Sequence, residues 1–210
     1  MNWTVGWHLH SVCQSHVQSE SQFHRNPKGT DLNKAHLIQA FASDDVLFNL
    51  LGLYDYWSNL VGFAFIGTSR KKIGWRGLAT SALDKKNPFS STAIGPMIAE
   101  HHKQWALKLQ DLRAEIIHYE HLEGKSRYEI SWQAGNEAAF EFLSTLPTPI
   151  SKKLQLQAPA RGDLGVDLQL GLIEICKKSI IWLAEATKLA CEQLTRHTVR
   201  ERASQETPSK

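Results

Sequence analysis

The chain has 210 residues, of which 42% are hydrophobic and 21% charged, with a formal net charge of +3 and a pI of about 8.7. This length is enough for one ordinary domain with a substantial core, and the weak basicity allows a polyanionic partner without demanding one. The odd and small number of cysteines (Cys13, Cys176 and Cys191) is not typical of a disulfide framework. The first residues lack the basic start and apolar run of a signal peptide, so we expect a cytoplasmic protein with reduced thiols.

Residues 1–30 form an N-terminal segment of uncertain structure, rich in Trp, His, Ser and Gln. Within it His8, His10, Cys13 and His16 could bind zinc, although their spacing matches no standard zinc finger. A zinc-dependent or metal-sensing protein is therefore one alternative, and an ordinary polar segment is the simpler one. We expect no metal site and no cofactor.

The helical signals begin at residue 31 and continue to residue 197. Leu32 to Ala42 can form a short helix, and Ser43 and Asp44 offer N-caps for a longer one through Ile66. This second helix is apolar on two sides, as is typical of a helix surrounded by others or lining an oligomer interface. Because Asp55 near its middle would be costly in a bilayer, the sequence favours a core helix over a membrane span.

Residues 67–92 are a basic connection that has room for a short helix. It contains the run Arg70-Lys71-Lys72-Ile73-Gly74-Trp75-Arg76. Cations beside an aromatic ring can bind phosphates and stack a base, so Arg76 and Trp75 are candidate substrate-binding residues. The commoner alternative is a solvated loop whose cations cap the preceding helix.

Pro96 fits the first turn of a helix that runs to about Glu120. Its buried stripe is predicted to be Ile98, His102, Trp105, Leu109, Leu112, Ile116 and Tyr119. Residues 125–162 are interpreted as an insertion with a strand at 128–132, a short helix at 136–146 and a Pro-rich loop.

The last long helix is predicted over 164–197, capped by Asp163, before a disordered tail at 198–210. Long helices without an alternating βαβ rhythm predict an all-α fold, an up-and-down helical bundle.

The strongest chemical signal is an arginine and a histidine near the end of the helix predicted from Pro96 to about Glu120. Arg113 and His118 are five residues apart, about 140° around a helix, so they lie on adjoining flanks that can meet at a helix end. A histidine can move the protons of a phosphodiester cleavage, and an arginine can stabilise its charged transition state. Asp111 and Glu115 could orient the imidazole. Such a pair permits RNA cleavage without a metal, whereas DNA lacks the 2′-hydroxyl nucleophile.

The segment Leu112-Arg113-Ala114-Glu115-Ile116-Ile117-His118 resembles the Arg-x4–6-His motif of HEPN domains. These are helical bundles of prokaryotic toxins, defence systems and RNA-processing enzymes. The motif also has a similar position, late in a long helix and before a loop and another long helix. The resemblance implies a metal-independent endoribonuclease with Arg113 and His118 as the catalytic pair and Glu115 as a helper. It further implies a homodimer with a composite cleft, RNA as substrate, and an antitoxin or defence protein as partner.

Several other residues are expected to contact the substrate near this pair: Asp111, His121, Lys125, Arg76 and Trp75. The alternative is a catalytically inactive helical module that binds RNA or a protein. Ala114 favours this alternative, because many HEPN proteins carry a polar residue directly after the arginine.

Overall fold

The computed structural model describes residues 2–26, 32–67, 73–118, 128–130, 142–146, 148–159 and 165–205. The predicted all-α helical bundle is confirmed. The helices are α1 (Asn2–Arg25), α2 (Leu32–Ile66), α3 (Trp75–Leu83), α4 (Ile94–His101), α5 (Leu107–His118), α6 (Thr148–Lys153) and α7 (Leu168–Gln205). A 3-10 turn (Pro88–Ser91) precedes α4, and a π-helical segment (His102–Ala106) joins α4 to α5.

The chain divides into two compact units. Unit 1 consists of Met1–Leu51 and Leu107–Lys178, and unit 2 consists of Gly52–Ala106 and Ser179–Lys210. The boundaries fall within α2 and α7, so each of these long helices contributes residues to both units.

Unit 1 packs its helices around aliphatic side chains and carries the small β-sheet. The strands β1 (Tyr128–Ile130), β2 (Phe142–Leu146) and β3 (Val166–Asp167) are antiparallel in the order β1-β2-β3. Tyr128 faces Ser144, and Leu146 faces Val166. The buried side chains of this unit include Val5, Val12, Val46, Leu47, Leu50, Leu109, Leu112, Leu146, Leu168, Leu172 and Ile175.

Gly165 enters β3 in a conformation that requires glycine. Its φ angle is +124°, and a Cβ at this position would collide with the carbonyl oxygen of Leu146. Gly165→Ala should therefore lower the free energy of unfolding by at least about 2 kcal/mol. Thermal melting followed by circular dichroism measures the loss. Gly6→Ala is the matched control, because its Cβ meets open space on α1, and it should preserve or raise the melting temperature. A Gly165→Ala variant that melts with the wild type would contradict this account.

Unit 2 packs aromatic and aliphatic side chains between its helices. Its fully buried side chains include Tyr54, Trp75, Leu78, Phe89, Ile94 and Ile98. The carboxylate of Asp55 on α2 accepts a hydrogen bond of 2.8 Å from the backbone N–H of Trp75, the first residue of α3. An aspartate in the middle of an apolar helix is thus explained, since it binds one of the unpaired N–H groups at a helix start.

Several predicted boundaries are wrong. Residues 32–66 form one continuous helix, because the Ser43 hydroxyl donates to the Gln39 carbonyl within it (2.6 Å) instead of capping a new one. Residues 142–146 form β2 where a helix was predicted, α6 lies in the predicted Pro-rich loop, and the last helix begins at Leu168.

The two terminal segments are also more helical than predicted. Residues 2–25 form α1, and α7 continues to Gln205 through most of the tail predicted to be disordered. The predicted strand at 128–132 corresponds to β1, and the proposed helix residues 136–141 lie outside the described residues. None of the described helices combines the length and apolarity required to span a membrane.

Candidate functional site

Arg113 lies on α5, next to the buried Leu112 and part-way to the surface. Its guanidinium carbon is 4.4 Å from the centroid of the Phe48 ring on α2. The Nε atom is buried and has no hydrogen-bond partner. A cation stacked on an aromatic ring is favoured by the ring's electron-rich face, so Phe48 holds the guanidinium in place without using its N–H donors.

The electrostatic surroundings of Arg113 leave its charge uncompensated within the described chain. The nearby Asp111 pairs with Lys153 of α6, at 3.6 Å between Oδ2 and Nζ. No described carboxylate forms a salt bridge with Arg113. Because a partly buried guanidinium gains free energy from an anionic partner, this side chain is suited to bind a phosphate.

The remaining residues predicted around the pair are only partly described. Glu115 and His118 belong to the last turn of α5, but their side chains lie outside the described residues, as do His121 and Lys125 entirely. The structure therefore brings Arg113 together with Phe48, a residue that the sequence had not singled out. No local sequence signal pairs Phe48 with Arg113, because the two residues are 65 positions apart in the chain.

The prediction that Trp75 stacks a nucleobase is wrong. Its side chain is 0% exposed, and its indole Nε1 donates to Nδ1 of His102 at 3.1 Å. The run around Trp75 resembles a solvated basic loop in sequence, but the ring packs inward as α3 begins. Arg76 is exposed on α3 in unit 2, whereas Arg113 belongs to unit 1.

Unit 2 contains a second cluster of chemically interesting side chains, which we call the aromatic–histidine cluster. It comprises Tyr54, Trp75, His101, His102, Trp105 and Trp182. The His101 ring stacks on Trp182 with 3.8 Å between centroids and 4° between planes. One of its nitrogens, Nε2, lies 2.8 Å from the Tyr54 hydroxyl.

Burial determines the charge states in this cluster. Burial, followed by the proximity of His102, lowers the pKa of His101 to about 3. Burial also raises the pKa of Tyr54 well above its ordinary value. Both groups are therefore neutral near pH 7. The indole of Trp105 donates to the Ser179 hydroxyl at 2.9 Å, which pairs a further buried donor.

The aromatic–histidine cluster surrounds the π-helical segment, and such segments are frequent at functional sites. Here, however, its polar groups bind one another and its rings pack closely. A histidine with so low a pKa cannot serve as a general acid at neutral pH. The cluster consequently stabilises unit 2, and it is not the candidate site. The adjacent His101 and His102 followed by Trp105 were the sequence signal for it.

Two of the four candidate zinc ligands of α1 lie close to carboxylates. His8 Nδ1 lies 3.4 Å from Asp45, and His16 Nε2 lies 3.5 Å from Glu20. Across the described ranges, no three His, Cys, Asp or Glu side chains are grouped as a metal ion would require.

No protein-family model, curated protein or solved structure matches this chain. The functional assignment therefore depends on the chemistry around Arg113.

Proposed function

We propose that this protein is a metal-independent endoribonuclease of the HEPN type, with Arg113 and His118 as its catalytic pair. The observation that supports this most is the Arg113 guanidinium, which Phe48 holds in place and which has no carboxylate partner among the described residues. It lies five residues before His118 on the same helix. The all-helical fold is consistent with the same assignment.

In the proposed reaction Arg113 binds the non-bridging oxygens of the scissile phosphate. The neighbouring 2′-oxygen attacks phosphorus, and the bond from phosphorus to the 5′-oxygen breaks. His118 accepts the proton of the 2′-hydroxyl or donates one to the departing 5′-oxygen. In a homodimer, His118 of the partner subunit would perform the complementary transfer. The products would be a 2′,3′-cyclic phosphate, or its hydrolysed form, and a 5′-hydroxyl.

The biological setting that we propose is cytoplasmic, in a toxin-antitoxin or phage-defence system. Such a nuclease would need a neutralising antitoxin or a defence partner, because uncontrolled RNA cleavage is toxic to the cell that makes it. Glu115, Asp111, His121 and Lys125 would support binding of the substrate around the pair.

Purified protein should cleave mixed single-stranded RNA in excess EDTA and leave DNA of the same sequence intact. The 2′-hydroxyl is the nucleophile, so its absence removes the reaction. Gel electrophoresis and end-group analysis of the fragments measure both results. Cleavage that requires an added divalent metal, or fragments that carry 5′-phosphates, would refute the mechanism.

The second candidate is an RNA- or protein-binding module without catalysis, and Ala114 favours it because it follows Arg113 where many HEPN proteins carry a polar residue. This candidate predicts tight, salt-dependent RNA binding with no cleavage under the same conditions.

A further inference from the structure

Two exposed phenylalanines lie on the α2 surface of unit 1, one of them directly beneath Arg113. Phe41 and Phe48 are each 51% exposed. They are seven residues apart, which places them within about 20° of each other around the helix and about 10.5 Å apart along its axis. Phenylalanine side chains are usually buried, so two half-exposed ones on the same side of a helix indicate a surface that binds something.

The neighbouring charge indicates what this surface binds. The guanidinium of Arg113 lies 4.4 Å from the Phe48 centroid, and the Arg113 Nε has no hydrogen-bond partner. A cation and an aromatic ring therefore lie side by side on this surface. Nucleic acids offer both complementary groups in every nucleotide, a phosphate for the cation and a flat base for the ring. An apolar protein partner would match the rings but leave the guanidinium without an anion.

We infer that Phe41 and Phe48 form a base-stacking platform beside Arg113, on which unpaired bases of the RNA strand are bound. This inference rests on the proposed function and adds a binding surface next to its catalytic pair. Rings about 10.5 Å apart along the helix axis are too far apart to contact one base, so each would stack on a different unstacked base of a single strand. Duplex RNA keeps the faces of its bases covered by their neighbours and cannot use such a platform.

The negative charge of Asp45 allows a test of whether RNA crosses this surface. It lies between the two phenylalanines along the same side of α2, and its carboxylate is 3.4 Å from His8 Nδ1. A carboxylate repels the phosphates of a strand that crosses the platform. Asp45→Asn should therefore tighten RNA binding severalfold, whereas it should have no such effect if RNA binds elsewhere.

The test measures affinity in the full-length protein carrying His118→Ala, so that the RNA stays intact. Fluorescence anisotropy at fixed salt compares three labelled ligands: an unstructured single-stranded RNA, its duplex, and an abasic ribose-phosphate chain of equal length. Phe41→Leu should weaken single-strand binding about tenfold and leave the abasic chain unaffected. Phe48→Leu should weaken single-strand binding at least as much, and it should also weaken the abasic chain, because it removes the ring that holds Arg113. Arg113→Ala should weaken binding of all three, because it removes a phosphate contact.

Phe63→Leu is the matched control, since Phe63 is also on α2 and 66% exposed but belongs to unit 2. The inference is overturned if both leucine variants bind single-stranded RNA like the parent, or if Phe63→Leu weakens it equally. It is also overturned if the variants separate an oligomer without changing RNA affinity, which would make the surface a contact between copies.

The two proposals can fail independently. If RNA affinity depends on the two phenylalanines but the wild type cleaves no RNA, the nuclease proposal is refuted and the platform is retained. If the wild type cleaves RNA through Arg113 and His118 but the phenylalanine variants bind and cleave RNA normally, the platform is refuted and the nuclease is retained.

Discussion

His118→Ala should reduce the rate of RNA cleavage by about 100- to 10,000-fold, because the scissile bond then loses its positioned proton-transfer group. Arg113→Ala should reduce it by about 100- to 1,000-fold, since negative charge that develops on the phosphate loses its fixed donor. Single-turnover cleavage of a labelled RNA, with protein in excess, measures both losses separately from product release.

Two further variants make this prediction specific. Arg25→Ala removes the same charge from an exposed position at the end of α1 and should cleave like the wild type. Arg113→Lys keeps the charge but loses the flat guanidinium that stacks on Phe48, so it should restore only a small part of the activity. If Arg113→Ala and Arg25→Ala cleave equally well, Arg113 is not part of the active site and the assignment fails.

The helical stripes could be predicted from the sequence because the period of an amphipathic helix is a local property. Ile98, His102, Trp105, Leu109 and Leu112 were all predicted to be buried, and all are. The same reasoning failed where a polar residue had two possible uses. Ser43 can cap a helix or bond to the carbonyl four residues before it, and only the packing of the buried residues around it favours the second.

The contacts that define the two side-chain clusters could not be predicted, because they join residues that are distant in sequence. Trp75 pairs with His102, and Arg113 stacks on Phe48. A basic run around a tryptophan fits an exposed loop as well as a helix start, and the Asp55 carboxylate that decides between them lies twenty residues earlier. Similarly, β2 depends on its neighbours β1 and β3, whereas its own residues are compatible with a helix.

The protein should lose stability steadily as the pH falls from about 6.5 to about 3, and His101 should account for much of this loss. Its pKa is lowered from 6.5 to about 3 in the folded chain, chiefly by burial. Above pH 6.5 His101 is neutral in both the folded and the unfolded chain, so it does not make the free energy of unfolding depend on pH. Below that pH the unfolded chain binds a proton that the native state does not, which costs up to about 1.4 kcal/mol for each pH unit.

Because His101 retains some contact with solvent, we expect its share of the loss to be about 2–3 kcal/mol by pH 4. Urea unfolding followed by tryptophan fluorescence, repeated between pH 7.5 and pH 4, measures it, since Trp57, Trp75, Trp105 and Trp182 all lie in unit 2. His101→Gln keeps a polar partner for the Tyr54 hydroxyl but cannot take up the proton, so its stability should decline less with acid. His10→Gln, at an exposed position on α1, should follow the wild type. Equal acid sensitivity in His101→Gln and the wild type would show that His101 is not buried in its neutral form.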